Sequence, residues 1–578
     1  MAEVWIDIRE GRNHVPTSFD KGNTMLQACR NNSLSWGDTF FLYLEREGQP
    51  LNIACTCEFE GAISLRAFTK HVESRLNLIP PYKQRAVFPS FNSSLPTWEL
   101  DPNFDIRNHV YQVVLKGGTD TDLKAVAANI ISSTLNRERP LWDLTLARGL
   151  KGNRTGLVIR LHHSMADGIS GVEIMNALLD TTPTPRNVPP SKQRSAESQT
   201  TDSVALLLDG LLKNYQSLVQ GALTAQTEVV NIARELLAAA AKGQTEELIR
   251  LMPELATPSD RLPFNKVCRG PQKIAWGEIP MADIKAIREN CGGTVNDVVL
   301  TVVTSTVRRY VELHGAKVRG RHLRLIVPVN VRSNGDVSEL GNRITFLPIN
   351  IPLDVRDPRR LLAKVSEKMV FLRGVGVTEL VGLCGTVLSK IPLPLQAVLA
   401  PLASQLPLSL CNMICTNVPG PQQPLYLLGH KMLRSYPYVP IGGEMGVNVA
   451  ILSYDGTAYF GFGGDVHAVP DIDRFEGLLR ASFKELRAAA LGKSPRTKVS
   501  ITKAKVAALP QAAKRRKVTA APAARPARSR AKVVPSPKPG KPRRRAVAAK
   551  TAVPFLLASG ATPTAITVPQ EALAHSGD

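Results

Sequence analysis

The sequence predicts a mixed α/β protein that ends in a long, disordered, basic tail. Three observations carry this. Residues 33–180 and 266–490 alternate between strand-like and helix-like apolar patterns. Within one short stretch the period switches: Leu157, Ile159 and Leu161 alternate with Val158, Arg160 and His162, and then Val172, Met175 and Leu179 fall at helical spacing. Finally, residues 493–578 are rich in Ala, Pro, Lys and Arg and poor in aromatic residues. Such a composition cannot bury enough apolar surface to offset the entropy of ordering.

The chain has 578 residues, of which 43% are hydrophobic and 21% charged, so a sizeable core is expected and a fibrous or wholly disordered chain is excluded. The net charge of +23 is concentrated: residues 492–550 hold 19 Lys and Arg and no Asp or Glu. The folded part is therefore only mildly basic. Eight cysteines do not make a disulfide framework, and the closest spacings, Cys55-x-Cys57 and Cys411-x3-Cys415, lack the paired pattern of a zinc site. A reducing, cytoplasmic protein without a metal is the expectation. The opening residues MAEVWIDIREGRN are too charged for a signal peptide. The segment Ile391–Ile414 has no formal charge, but Pro392, Pro394, Pro401 and Pro407 break it, so it reads as buried or interfacial rather than spanning.

Four regions are expected: 1–185, 186–265, 266–491 and 492–578. Residues 186–203 are a polar linker. Residues 204–241 read as helical, with Leu207, Leu211, Leu218 and Leu223 on a broad stripe suited to a crossover or a membrane surface. Residues 251–265, with three prolines, read as a second connector. No fixed-period repeat is present.

The chemistry is concentrated in the stretch from Thr155 to Gly168, which contains His162, His163, Asp167 and Gly168. These residues fall in a strand-to-helix turn, where α/β proteins commonly place ligand chemistry. Adjacent histidines on an extended chain point opposite ways, so one can face a cavity while the other packs. A His pair alone is more often structural, and Asp-Gly alone is an ordinary turn. The combination His-His-x3-Asp-Gly between strand and helix is rarer. It resembles the active-site motif of the CoA-dependent acyltransferase superfamily. The resemblance implies His163 as general base, His162 in support, Asp167 as structural organiser and Gly168 in the motif turn.

Further stretches are similar to the bacterial wax ester synthase/diacylglycerol acyltransferase family. They are Leu34-Ser35-Trp36-Gly37-Asp38-Thr39-Phe40-Phe41-Leu42, Asp105-Ile106-x2-His109-Val110, Pro140-Leu141-Trp142, Asn296-Asp297, Gly341-Asn342-Arg343, Asn417-Val418-Pro419-Gly420-Pro421 and Ser453-Tyr454-x-Gly456. They occur in the family's order over residues 33–487. Departures occur at Leu51-Asn52, where the family often has Met-His, and over 184–262, where no motif can be placed.

Read from the residues alone, Thr294 is an N-cap and Asp297 completes a capping box. That leaves Asn296 in the first helical turn, where an amide can serve an oxyanion or CoA. Pro140, Leu141 and Trp142 are packing or tunnel-wall candidates. His109 reads as a satisfied strand residue, and Arg85 and Arg332 are both candidates to pair with Asp167.

The resemblance implies a two-lobed, chloramphenicol-acetyltransferase-like fold with a tunnel between the lobes. It also implies acyl transfer from acyl-CoA to diacylglycerol, a long-chain alcohol or both, with acyl-CoA as co-substrate and no cofactor or metal. The alternatives are a nonribosomal-peptide-type condensation enzyme, or a non-catalytic lipid-surface or nucleoid-binding protein with a degenerate acyltransferase fold. The tail suits an anionic membrane or lipid-droplet surface on the cytoplasmic side. Nucleic acid is the weaker partner, because Phe555 is the tail's only aromatic residue.

Overall fold

The computed structural model describes residues 33–89, 95–165, 170–188, 258–330, 344–374 and 411–492. All of these belong to a single unit, residues 1–498. Asp167, Gly168, Arg332, the 204–241 helix, Gly341–Arg343, most of 391–414 and the tail beyond Gly492 lie outside the described residues.

The first half of the chain supplies α1 (Trp36–Leu44), β1 (Asn52–Glu60), α2 (Leu65–Arg75), β2 (Gln84–Val87), β3 (Thr97–Leu100) and β4 (Val110–Val114). It continues with α3 (Asp120–Ile131), β5 (Trp142–Leu150), β6 (Arg154–His162) and α4 (Ser170–Leu178). The second half supplies β7 (Gln272–Pro280), α5 (Met281–Cys291), α6 (Val295–Leu313), β8 (His322–Asn330), β9 (Ile344–Pro352) and α7 (Pro358–Gly374). It ends with β10 (Met413–Pro419), β11 (Tyr426–Leu427), β12 (His430–Tyr438), β13 (Val447–Tyr454), β14 (Thr457–Asp465) and α8 (Arg474–Leu491).

Two sheets organise these elements, in the orders β11-β12-β1-β6-β5-β4 and β7-β14-β13-β10-β8-β9; β2 and β3 form a separate ribbon. Strands β1, β5 and β6 are long, and β5 and β6 are buried over most of their length. From Thr155 to His162 every residue of β6 is buried, as expected of a central strand. Three helix starts have a local cause in a side-chain cap. Ser35 caps α1 by accepting the Asp38 N–H at 3.1 Å. Thr119 and Asp122 form a capping box on α3, and Thr294 and Asp297 form one on α6. Helix α6 is buried along most of its length, from Asp297 to Val311, and packs with Ile284, Leu325, Ile349 and Phe475 in the second core. Its buried polar positions Thr301, Thr304 and Thr306 are satisfied within the helix, each hydroxyl donating to the carbonyl four residues back.

The sheets are not separate in sequence. Strand β12, from the second half of the chain, pairs antiparallel with β1, in register from Ala54 with Tyr438 to Glu58 with Arg434, and the register shifts before Phe59 meets Met432. It carries Tyr436 onto Trp276 of β7 in a near-parallel stack at 4.2 Å. Where β12 passes over β14 the backbones almost touch. A Cβ at Gly461 would meet the Pro437 carbonyl oxygen at 1.7 Å, so only glycine fits there. Among the described residues no helix is long and apolar enough to cross a membrane.

Candidate active site

β6 runs between β1 and β5, and its end is clamped from both sides. The His162 N–H donates to the Leu141 carbonyl at 2.9 Å, and the His163 N–H donates to the Leu51 carbonyl at 2.8 Å. The chain then tightens into a 3-10 turn, His163–Met165. The Pro-Leu-Trp element is therefore a structural neighbour of the histidines. Leu141 belongs to a small core with Leu34, Leu42 and Ala86, against which Met165 of the turn also packs. Trp142 donates its indole N–H to the Tyr82 carbonyl at 2.7 Å, and His109 stacks on its ring at 4.5 Å. Burial lowers the pKa of His109, and its Nδ1 lies 2.8 Å from the Trp142 carbonyl, which makes Nδ1 the donor of a neutral ring.

The two histidines differ. His162 is fully buried. Its Nδ1 accepts the Ser164 backbone N–H at 3.1 Å and lies 2.7 Å from the Ser164 hydroxyl oxygen. An acceptor nitrogen carries no proton, so the ring hydrogen of the neutral form sits on Nε2. Nε2 faces the Glu45 carboxylate at 3.5 Å. His163 is only half-buried and lies flat against Phe41 of α1, with ring centroids 3.9 Å apart.

Glu45 is a site residue that motif reading passed over. Its side chain is only 2% exposed. It accepts the Leu51 N–H on Oε1 at 3.1 Å, and Arg137 on Oε2 at 3.1 Å. Burial pushes its carboxyl pKa up, but His162, the Leu51 amide and Arg137 more than offset this and leave it below the usual value. A signal was present in the sequence: Glu45 follows the buried Leu42 by three residues and Phe41 by four, and so continues the inward face of α1.

Arg160 lies two residues before His162 on β6, on the same face of the sheet, and braces it further along the strand. It pairs with Asp143 through two hydrogen bonds and also donates to the Ser133 carbonyl at 2.9 Å. The Asn52 side-chain amide donates to the same carbonyl at 2.8 Å. Together they satisfy backbone oxygens at the end of α3. The departure from the family pattern at Leu51-Asn52 thus supplies one backbone clamp and one helix-end partner.

Asn296 stands on the second half of the chain, half-buried in the first turn of α6, with its side-chain oxygen 3.4 Å from the Asn417 amide nitrogen. Two elements far apart in sequence, Asn296-Asp297 and Asn417-Val418-Pro419, meet there. Arg85 lies on β2 opposite Glu99.

Residues 34–299 match the wax ester synthase/diacylglycerol acyltransferase catalytic domain, and residues 340–487 match the WS/DGAT C-terminal domain. The chain belongs to this family. It is an acyltransferase. A protein named "Probable diacylglycerol O-acyltransferase" from Mycobacterium tuberculosis is 28% identical over 474 residues, covering 81% of this chain and 98% of the relative. A second M. tuberculosis protein of the same designation is 27% identical over 473 residues, covering 78% and 98%. Among solved structures, the wax ester synthase/diacylglycerol acyltransferase from Marinobacter aquaeolei VT8 aligns with a TM-score of 0.54 at 23% identity, covering 79% of this acyltransferase and 99% of that chain. At that identity the likeness speaks for the fold, and it supports the two-lobed architecture expected from the sequence.

Proposed function

We propose that this acyltransferase moves a fatty acyl group from CoA to the hydroxyl of diacylglycerol, of a long-chain alcohol, or of both, with His163 as general base. The observation that carries the reading is the contrast between the histidines. The His162 ring is buried with its nitrogens turned to Ser164 and Glu45, while the His163 ring is the more open one. The thioester is already activated, so neither a metal nor a covalent intermediate is required. The acceptor hydroxyl must lose its proton as it attacks, and a neutral imidazole, with a reference pKa of about 6.5, suits that task near neutrality. The attack yields a tetrahedral oxyanion. Its collapse breaks the C–S bond, and the imidazolium returns its proton to the departing CoA thiolate. Asp167 and Gly168 are assigned to hold the turn, and Pro140, Leu141 and Trp142 to support the wall beside it. The names of the mycobacterial relatives favour diacylglycerol as acceptor, while the family's name covers both acceptors. A CoA-release assay with dioleoylglycerol and with hexadecanol tests the reading. Release with neither acceptor overturns it.

Asn296 is assigned to the oxyanion or to CoA, and kinetics separate these roles. If its amide stabilises the oxyanion, Asn296→Ala lowers kcat roughly 100-fold or more with little change in KM for acyl-CoA. A change confined to KM moves it to CoA binding.

The tail is assigned to an anionic lipid surface on the cytoplasmic side, a membrane or a lipid droplet. Its clusters Lys514-Arg515-Arg516-Lys517 and Lys541-Pro542-Arg543-Arg544-Arg545 each bring several cations, worth about 1 kcal/mol per residue near such a surface. Truncation after Gly492 is expected to spare turnover of detergent-dispersed substrate and to weaken salt-sensitive binding to anionic liposomes. Equal liposome binding by the truncated chain at low salt contradicts the assignment. Tight binding of the full chain to duplex DNA, absent for liposomes, would favour nucleic acid instead.

A further inference from the structure

We infer that Glu45 is the positioning residue of this site, the one acceptor that sets both the turn carrying His163 and the orientation of His162. The inference rests on His163 being the base. Oε1 of Glu45 accepts the Leu51 N–H at 3.1 Å, and the carbonyl of the same residue accepts the His163 N–H at 2.8 Å. The carboxylate is thus one residue removed from the backbone of the base. The same Oε1 faces Nε2 of His162 at 3.5 Å, the nitrogen that carries the hydrogen once Ser164 occupies Nδ1. The other oxygen, Oε2, is held by Arg137, whose Nη2 also donates to the Leu42 carbonyl at 2.7 Å near the C-terminal end of α1. Two donors, the Leu51 amide before β1 and the Arg137 guanidinium before β5, therefore hold one buried carboxylate, and the His162 ring at the end of β6 faces it.

A carboxylate can accept on both oxygens, whereas a glutamine of the same shape offers one acceptor and one donor. In Glu45→Gln either the amide NH2 meets Arg137, or it meets the Leu51 N–H and the His162 Nε2–H. Both arrangements oppose donor to donor. The turn and the ring then lose their common anchor, and misplacement by about 1 Å is enough to cost on the order of 100-fold in rate. Removing Arg137 changes that outcome. In Glu45→Gln/Arg137→Ala the amide oxygen can serve Leu51 and His162. The NH2 then points into the space left by the guanidinium, toward the vacated Leu42 carbonyl.

Steady-state kinetics of the full-length chain with acyl-CoA and dioleoylglycerol test this. Glu45→Gln is expected to lower kcat roughly 10- to 100-fold, with KM for acyl-CoA changed by less than about 3-fold, because positioning acts on the reacting geometry rather than on binding. The double variant is expected to recover at least about 5-fold of that kcat, a non-additivity typical of residues that share one network. A Glu45→Gln enzyme with wild-type kcat overturns the inference. So does a double variant no faster than Glu45→Gln, the pattern of an ion pair whose only role is stability. If Glu45→Gln fails to fold, the double variant carries the test alone, and it must fold and turn over. His163→Ala assayed alongside separates the two claims. An active His163→Ala overturns the base assignment, while an inactive His163→Ala beside an unimpaired Glu45→Gln overturns only the positioning role.

Discussion

His163→Ala is expected to lower kcat by roughly 100-fold or more with the fold retained, since a positioned general base typically contributes about 10²–10⁴. The ring is half-buried and rests on Phe41, so its loss costs little packing. The turn backbone is unaffected, because the clamp to Leu51 uses the main chain. His162→Ala is expected to behave in the opposite way. That ring is fully buried between Ser164 and Glu45, so removing it leaves a cavity beside an ionised carboxylate. The melting temperature should fall more than for His163→Ala, and kcat should fall less. Turnover and thermal melting of the two variants, measured in parallel, check this. Equal losses of kcat with equal melting temperatures would mean that neither residue is singled out as the base.

Arg160→Ala is expected to cost about 3–5 kcal/mol of stability, the penalty for leaving one member of a buried ion pair alone. Arg160 and Asp143 have side chains only 9% exposed, and Arg160 also serves carbonyls of Ile130 and Ser133 at the end of α3. The variant thus strands a carboxylate and several backbone oxygens together. The expected fall in melting temperature is on the order of 10 °C. Replacing both partners with apolar residues, as in Arg160→Met/Asp143→Leu, should recover a large part of it, because a buried pair often contributes little over a well-packed apolar substitute. Differential scanning calorimetry of the three proteins decides this. A single variant as stable as the wild type would show that the pair is hydrated rather than buried.

Local signals in this sequence were readable wherever one residue type answers to one constraint. The period-two run ending at His162 and the Thr294-x2-Asp297 pair require nothing from distant residues, and both occur where the sequence places them. The ordered motifs pointed to the family and through it to the two lobes. What could not be read locally is set by contacts between distant segments. Nothing near His430–Tyr438 announces that these residues leave the second half of the chain to pair with β1, because alternation gives a strand's faces but not its partner. Glu45 was missed for the same reason. Its importance comes from Leu51, Arg137 and His162 converging on it, and only the inward face of α1 hinted that a carboxylate there would be buried.

The central claim is direct transfer of the acyl group from CoA to a hydroxyl, assisted by a histidine base. Rapid-mixing measurement of CoA release, with and without dioleoylglycerol, tests it most directly. The predicted result is no burst of CoA without acceptor and, with acceptor, one ester formed for each CoA released. A stoichiometric burst of CoA in the absence of acceptor, with the acyl chain retained on the protein, would contradict it, because that is the signature of a covalent acyl-enzyme.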